Sequence, residues 1–204
     1  MADNTLQFQW IVVLKENLDA RLDFFVAGDL LWYPVEGRPE IRRAPDVLVA
    51  CGRPKGHRGS YQQWREDGVA PQVVFEVLSP GNRYGELIDK FNFYQRYGVE
   101  EYYVYDPDRE DLTGYLRRGD LLIEIPDMSD HTSPRLGIRM VHGTTLEVFD
   151  ARGQPFETFA QIRARADEAE ARAGKAEARA GKAEARAARL AERLRAMGVD
   201  PEGD

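Results

Sequence analysis

The seven residues QVVFEVL at 72–78 constrain the fold more than any other part of the chain. On an extended backbone, alternate side chains point to opposite faces. Val73, Phe75 and Val77 then lie on one face, and Val74 and Leu78 on the other. A strand apolar on both sides belongs in the interior of a sheet covered on both faces. Glu76 sits inside that run. A lone buried carboxylate is costly unless it is paired or holds a metal. APDVLVAC (44–51) repeats the conflict through Asp46, and FFVAGDLLWYP (24–34), read as one strand, repeats it more weakly through Asp29. The alternative is a carboxylate at a strand end, solvated or paired to an arginine such as Arg42 or Arg43.

The flanking segments fill in a mixed sheet. QWIVVLKENLDARL (9–22) has apolar residues at helical spacing, and a turn is expected through Glu36, Gly37, Arg38 and Pro39. Residues 52–71 read as a polar connection with room for a short helix, and SPGN (79–82) is turn chemistry. Residues 86–97 read as a helix ended by Gly98, and EYYVYDP (101–107) as a strand. TGYLRRG, DLLIEIP and TLEVFD suggest shorter antiparallel strands. The order of strands and helix predicts an α/β fold, a mixed sheet with flanking helices. On the helix 86–97, Leu87, Phe91, Tyr94 and Gly98 form the inward stripe. Lys90 falls about 60° from its centre at 100° per residue. Its stem can pack on the sheet while its ammonium reaches a buried carboxylate.

One internal ion pair would explain these charges structurally, with little net gain in stability. Chemically, two acids and a lysine suit metal-dependent phosphodiester hydrolysis. Carboxylates hold magnesium, a hard cation that keeps waters, and lysine stabilises developing charge. RAPDVLVACG, PQVVFEVLSPGN, the run from Lys90 through FNFYQRYGVEEYYVYDP, and SPRLGI together resemble the Uma-type "putative restriction endonuclease" family of the PD-(D/E)XK nuclease superfamily. The resemblance covers roughly residues 10–160, and Pro71 to Pro107 is its specific part. It implies a restriction-endonuclease-like core, magnesium or manganese as cofactor, and a nucleic-acid substrate. By position, Asp46 matches the acid of the PD motif and Glu76 the first acid of the E-x-K strand. Leu78 stands where that motif has lysine, and Lys90 on the following helix is the family's displaced lysine. Asp29 matches an acid in the preceding strand and is a candidate extra metal ligand.

Other chemistries find no support. His57, His131 and His142 lack metal-ligand spacing, Ser79 lacks a G-x-S-x-G context, and there is no phosphate-cradling glycine loop. Arg53, Lys55, His57, Arg58 and Arg65, interleaved with Tyr61 and Trp64, form the densest basic stretch of residues 1–160. Its Arg53, Lys55, Arg58 and Arg65 are candidate phosphate contacts, with the aromatic rings available to stack on bases. A solvated loop is the bland alternative.

Charge and composition change near residue 160. Residues 1–162 carry 18 basic and 26 acidic side chains, whereas 163–197 carry 10 and 6. Residues 170–176 and 177–183 both read EARAGKA, followed by EARAARL at 184–190. The seven-residue period phases as a coiled coil with an alanine seam that ends in Leu190, Leu194 and Met197. With Ala173 at position a, Arg172, Arg179, Arg186 and Arg193 occupy g, and Glu170, Glu177 and Glu184 occupy e. Arginine at g opposite glutamate at e favours a parallel, in-register partner. Gly174 and Gly181 weaken the helix by about 1 kcal/mol each relative to alanine. A solvated, fraying helix is the alternative.

The sequence therefore predicts a nuclease domain over 1–160, a coiled coil over 161–198 and an acidic tail over 199–204. The expected function is a metal-dependent DNA endonuclease, dimerised in parallel through 162–197. The rival is an inactive nuclease-like scaffold that binds a protein through the coiled coil. The net charge of −7 is no general attractor for nucleic acid, and the −8 of residues 1–162 opposes DNA approach. The single cysteine, Cys51, suits a reducing cytoplasm, and neither a signal peptide nor a membrane span is expected.

Overall fold

The computed structural model describes residues 4–81, 83–143 and 145–197. The expected acidic tail 199–204 and the side chain of Leu194 lie outside the described residues. The chain divides into two compact units, residues 1–156 and 157–204.

The first unit opens with helix α1 (Thr5–Arg21). It starts four residues before the expected position because the Asn4 side chain accepts from the Gln7 N–H at 2.8 Å and caps the helix. Strands β1 (Phe25–Gly28) and β2 (Trp32–Tyr33) follow. The sequence suggested one strand over 24–34, but the structure breaks it at Asp29, which takes a left-handed φ of 50°. An extended strand cannot continue through that conformation. Strand β3 (Val47–Ala50), β4 (Tyr61–Gln62), a single 3-10 turn at Gln63–Arg65 and β5 (Val73–Val77) come next. Helix α2 (Tyr84–Tyr97) ends where Gly98 takes φ 98°, and its N–H bonds to the Tyr94 carbonyl. The unit closes with β6 (Glu101–Asp106), β7 (Asp111–Arg118), β8 (Leu121–Glu124), β9 (Asp130–Thr132), β10 (Arg139–His142) and β11 (Leu146–Phe149).

Six strands form the main sheet in the order β1-β3-β5-β6-β7-β8. Its neighbours are antiparallel except β5 and β6, which run parallel. A parallel pair needs a crossover, and α2 is the helix between them. The fold is therefore mixed α/β. A three-stranded antiparallel sheet, β11-β10-β9, and the short parallel pair β2-β4 complete it.

Two hydrophobic cores lie on opposite faces of the main sheet. Val47, Val49, Val73, Phe75 and Val77 pack with Ile11, Leu14 and Leu18 of α1 and with Met140 and Val148 of the small sheet. Leu48, Ala50 and Val74 pack with Trp32, Phe93, Tyr94 and Tyr102. Every residue of β3 and β5 is buried. Both central strands are thus covered on both faces, which makes any charge on them a problem that local structure must solve.

The second unit contains α3 (Phe159–Ala196), 38 residues long. At 1.5 Å per residue it spans about 57 Å. Phe159, Ile162 and Leu190 are exposed on it, and so is Met197 just after it. Arg172 pairs with Glu168 at 3.2 Å, an i,i+4 contact within the helix. Among the described residues no helix is long and apolar enough to cross a membrane.

Candidate active site

The antiparallel register sets the site. Val47 pairs with Phe75, so one further step places Asp46 opposite Glu76. Directly opposed residues project from the same face of a sheet. Here that face is the one covered by α2, because Val74 belongs to its core. Glu76 is 1% exposed and Asp46 is 8% exposed.

Helix α2 supplies the partners. The Lys90 ammonium lies 2.8 Å from Oε2 of Glu76. Four residues on, the Tyr94 hydroxyl donates to Oε1 at 2.5 Å. The i,i+4 spacing puts both groups on one helix face. Tyr94 is fully buried, parallel to the Trp32 ring at 6.3 Å and 5.1 Å from the Tyr102 ring. Both oxygens of Glu76 are therefore held from the helix. Asp46 is held from the sheet: its Oδ2 accepts the Val77 N–H at 2.7 Å. From the other face, the buried Gln7 amide of α1 donates to the Val77 carbonyl at 2.7 Å.

The electrostatics follow from burial. Desolvation, then the neighbouring Asp46, pushes Glu76 up from 4.5 to about 8, against the pull of Lys90 and Tyr94. Burial also raises Asp46, opposed by the Val77 N–H and by Lys90. Burial works against the charge of Lys90, but Glu76 and Asp46 outweigh it and hold its pKa above the ordinary value. Two carboxyl groups on opposed positions of a dry site do not both ionise easily.

A divalent cation would offset the charge of two ionised carboxylates. Among the described residues no group of three or more His, Cys, Asp or Glu side chains is placed to hold a metal. A pair of carboxylates does not make a closed cage of protein ligands. It does fit magnesium, which is commonly bound through one or two carboxylates with waters and substrate phosphates completing the shell.

Asp29 follows β1 directly, and its N–H donates to the carbonyls of Pro45 and Asp46 at 3.2 Å. Its side chain is exposed. In the basic stretch, Arg53 pairs with Asp67 at 2.6 Å and Glu66 at 3.3 Å, and Arg58 pairs with Glu66 at 2.5 Å. Lys55 faces Asp19 at 3.5 Å, and Arg65 is exposed. Tyr61, which the sequence offered as a stacking surface, is wholly buried with its hydroxyl on the Val69 carbonyl.

Two polar groups escaped the sequence reading. Tyr94 appeared only as part of the apolar stripe, although its place four residues after Lys90 was a signal. Glu101, at the start of β6, is also 1% exposed. It accepts from the Tyr103 hydroxyl at 2.9 Å, from the Arg135 N–H at 2.6 Å and from the Ser133 hydroxyl. Ser133 and Arg135 belong to the SPRLGI segment, which thus caps a second buried carboxylate on the opposite face of the sheet.

No curated protein matches the chain. A crystal structure of "a putative nuclease belonging to DUF820" from Anabaena variabilis ATCC 29413 aligns with a TM-score of 0.42 at 14% identity, covering 63% of this chain and 69% of that one. The family model described as "Uma2: Putative restriction endonuclease" matches residues 3–144. The chain, with its paired acids on adjacent central strands, belongs to the Uma2 family.

Proposed function

We propose that the chain is a metal-dependent endonuclease that hydrolyses DNA phosphodiester bonds at Asp46, Glu76 and Lys90. The observation that carries the reading is the buried carboxyl pair under a lysine ammonium. Its members have been removed from water at a cost that a purely structural pair seldom recovers. Asp46 and Glu76 would hold the magnesium or manganese ion. When bound, that ion supplies Lewis-acid polarisation of the scissile phosphate. Lys90 stabilises the negative charge that develops on the phosphate oxygens. Tyr94 and the Val77 N–H keep the two carboxyl groups oriented, so little reorganisation is needed as the reaction proceeds.

The same proposal includes self-association through α3. The exposed Ile162, Leu190 and Met197, with Arg at g and Glu at e, suit a second copy of this chain in parallel register. Two sites brought together in this way match the needs of double-strand cleavage.

Cleavage of plasmid DNA in magnesium or manganese, by wild type and by Glu76→Ala, tests the activity. Metal-dependent cutting by wild type and none by the variant is expected. Equal cutting by both removes the site assignment. For α3, solution mass with and without residues 157–204 is the measurement. A monomer in both forms rejects the dimer.

A further inference from the structure

Residues 1–162, with a net charge of −8, need local positive charge to hold a polyanion beside a buried acid pair. The basic stretch after β3 offers little, because Glu66 and Asp67 neutralise Arg53 and Arg58. Arg42 and Arg43 are different. The Arg42 guanidinium donates to the Pro39 carbonyl at 2.8 Å, and that of Arg43 donates to the Arg42 carbonyl at 2.9 Å. Arg43 also lies over the Phe93 ring, 5.5 Å from its centroid. Carbonyls and a ring fix the direction of a guanidinium but do not cancel its charge. Among the described residues, neither arginine has a carboxylate partner within 4.0 Å.

Their position links them to the acids. The Arg43 backbone exchanges hydrogen bonds with Trp32, at 2.7 and 3.2 Å. Trp32 packs edge-on against Phe93 at 5.2 Å and parallel to Tyr94 at 6.3 Å. Tyr94 in turn bonds to Glu76. Along the chain, Arg43 is three residues before Asp46, a backbone reach of about 10 Å at most. One strand of duplex DNA presents a phosphate about every 3.4 Å of axis. Arg43 thus stands within the axial rise of about three phosphates of a bond placed at the acid pair, and Arg42 one residue further.

We propose that Arg42 and Arg43 contact the nucleic-acid backbone and seat it against the Asp46–Glu76 pair. This deepens the endonuclease reading and rests on it. The contacts are to phosphate and carry no base information, so they act equally on unrelated sequences. Both side chains are held in place before binding, which lowers the ordering cost.

The test measures binding of fluorescently labelled DNA duplexes of two unrelated sequences to the full chain, across a salt series in calcium. Arg42→Gln/Arg43→Gln is expected to reduce the slope of log affinity against log salt by about 0.9 per contact, close to two in all. Affinity at about 0.1 M salt falls on the order of tenfold or more, equally on both duplexes. Arg42→Lys/Arg43→Lys keeps the slope, because a point charge suffices for a phosphate contact. The single variant Arg42→Gln, at an exposed side chain, loses about half of the slope change and guards against a folding defect. Wild-type slope and affinity in the glutamine variants overturn the proposal and leave the endonuclease reading standing. So does an equal loss from Arg152→Gln, at an exposed arginine outside both basic clusters. Failure of wild type to bind either duplex overturns both.

Discussion

Replacing Glu76 by glutamine removes one titration and leaves a side chain of nearly the same shape. In the folded protein Glu76 holds its proton up to about pH 8, against an ordinary value of 4.5. Between those values the folded state keeps a proton that the unfolded chain has released. The raised pKa therefore contributes stability that is fully present below about pH 4.5 and lost as pH rises through about 8. At about 1.4 kcal/mol per tenfold change, the gap corresponds to about 5 kcal/mol. Asp46 titrates with Glu76, so the observable share is a few kcal/mol. Urea unfolding of the metal-free protein, followed by tryptophan fluorescence, gives the free energy at each pH. The expected result is a stability difference, Glu76→Gln minus wild type, that grows between about pH 5 and about pH 9. His131, whose pKa burial depresses, acts with the opposite sign but is common to both proteins and cancels. Saturating magnesium restores wild type at the alkaline end and does nothing for the variant. A difference that stays flat across the window refutes the reasoning.

Three further outcomes follow from the same geometry. Tyr94→Phe removes one donor to Glu76 and keeps the ring, so stability falls by about 2 kcal/mol where Glu76 is ionised and by less in acid, measured by urea unfolding. Lys90→Met slows single-turnover cleavage on the order of a hundredfold and leaves DNA affinity within a few-fold, because the lost charge acts on the transition state. Glu101→Gln turns a carboxylate with three donors into a group that must aim an amide N–H at one of them. It costs about 2 kcal/mol in unfolding and leaves the magnesium-induced rise in melting temperature unchanged.

The sheet and the acid pair were legible because they rest on short-range rules. A strand apolar on both faces has to be central, and a charge inside it has to have a partner. The angular position of Lys90 on its helix named that partner. Tyr94 was not legible as a polar group, because an aromatic residue in an inward stripe looks like core until its hydroxyl finds an acceptor. Glu101 was hidden for a different reason: two of its three donors come from residues 133 and 135, more than 30 positions away. Asp29 ended its strand through a positive φ, which hydrophobic alternation does not encode. Strands β9 and β10 were missed because three or four mostly polar residues carry too little alternation to read. Arg53 and Arg58 looked available because their neutralising partners, Glu66 and Asp67, come from beyond the 3-10 turn.

The parallel pairing of β5 and β6 has a consequence for how the protein can respond to a ligand. Because the chain must cross the sheet between these strands, the contacts of Lys90 and Tyr94 with Glu76 are also bonds that fasten the crossover helix to the sheet. Whatever occupies Glu76 competes with or reinforces that fastening. By linkage, a ligand that binds more tightly when α2 is docked must make the docking firmer by the same factor. For such a ligand, occupancy of the acid pair and protection of the α2 amides against hydrogen exchange rise and fall together.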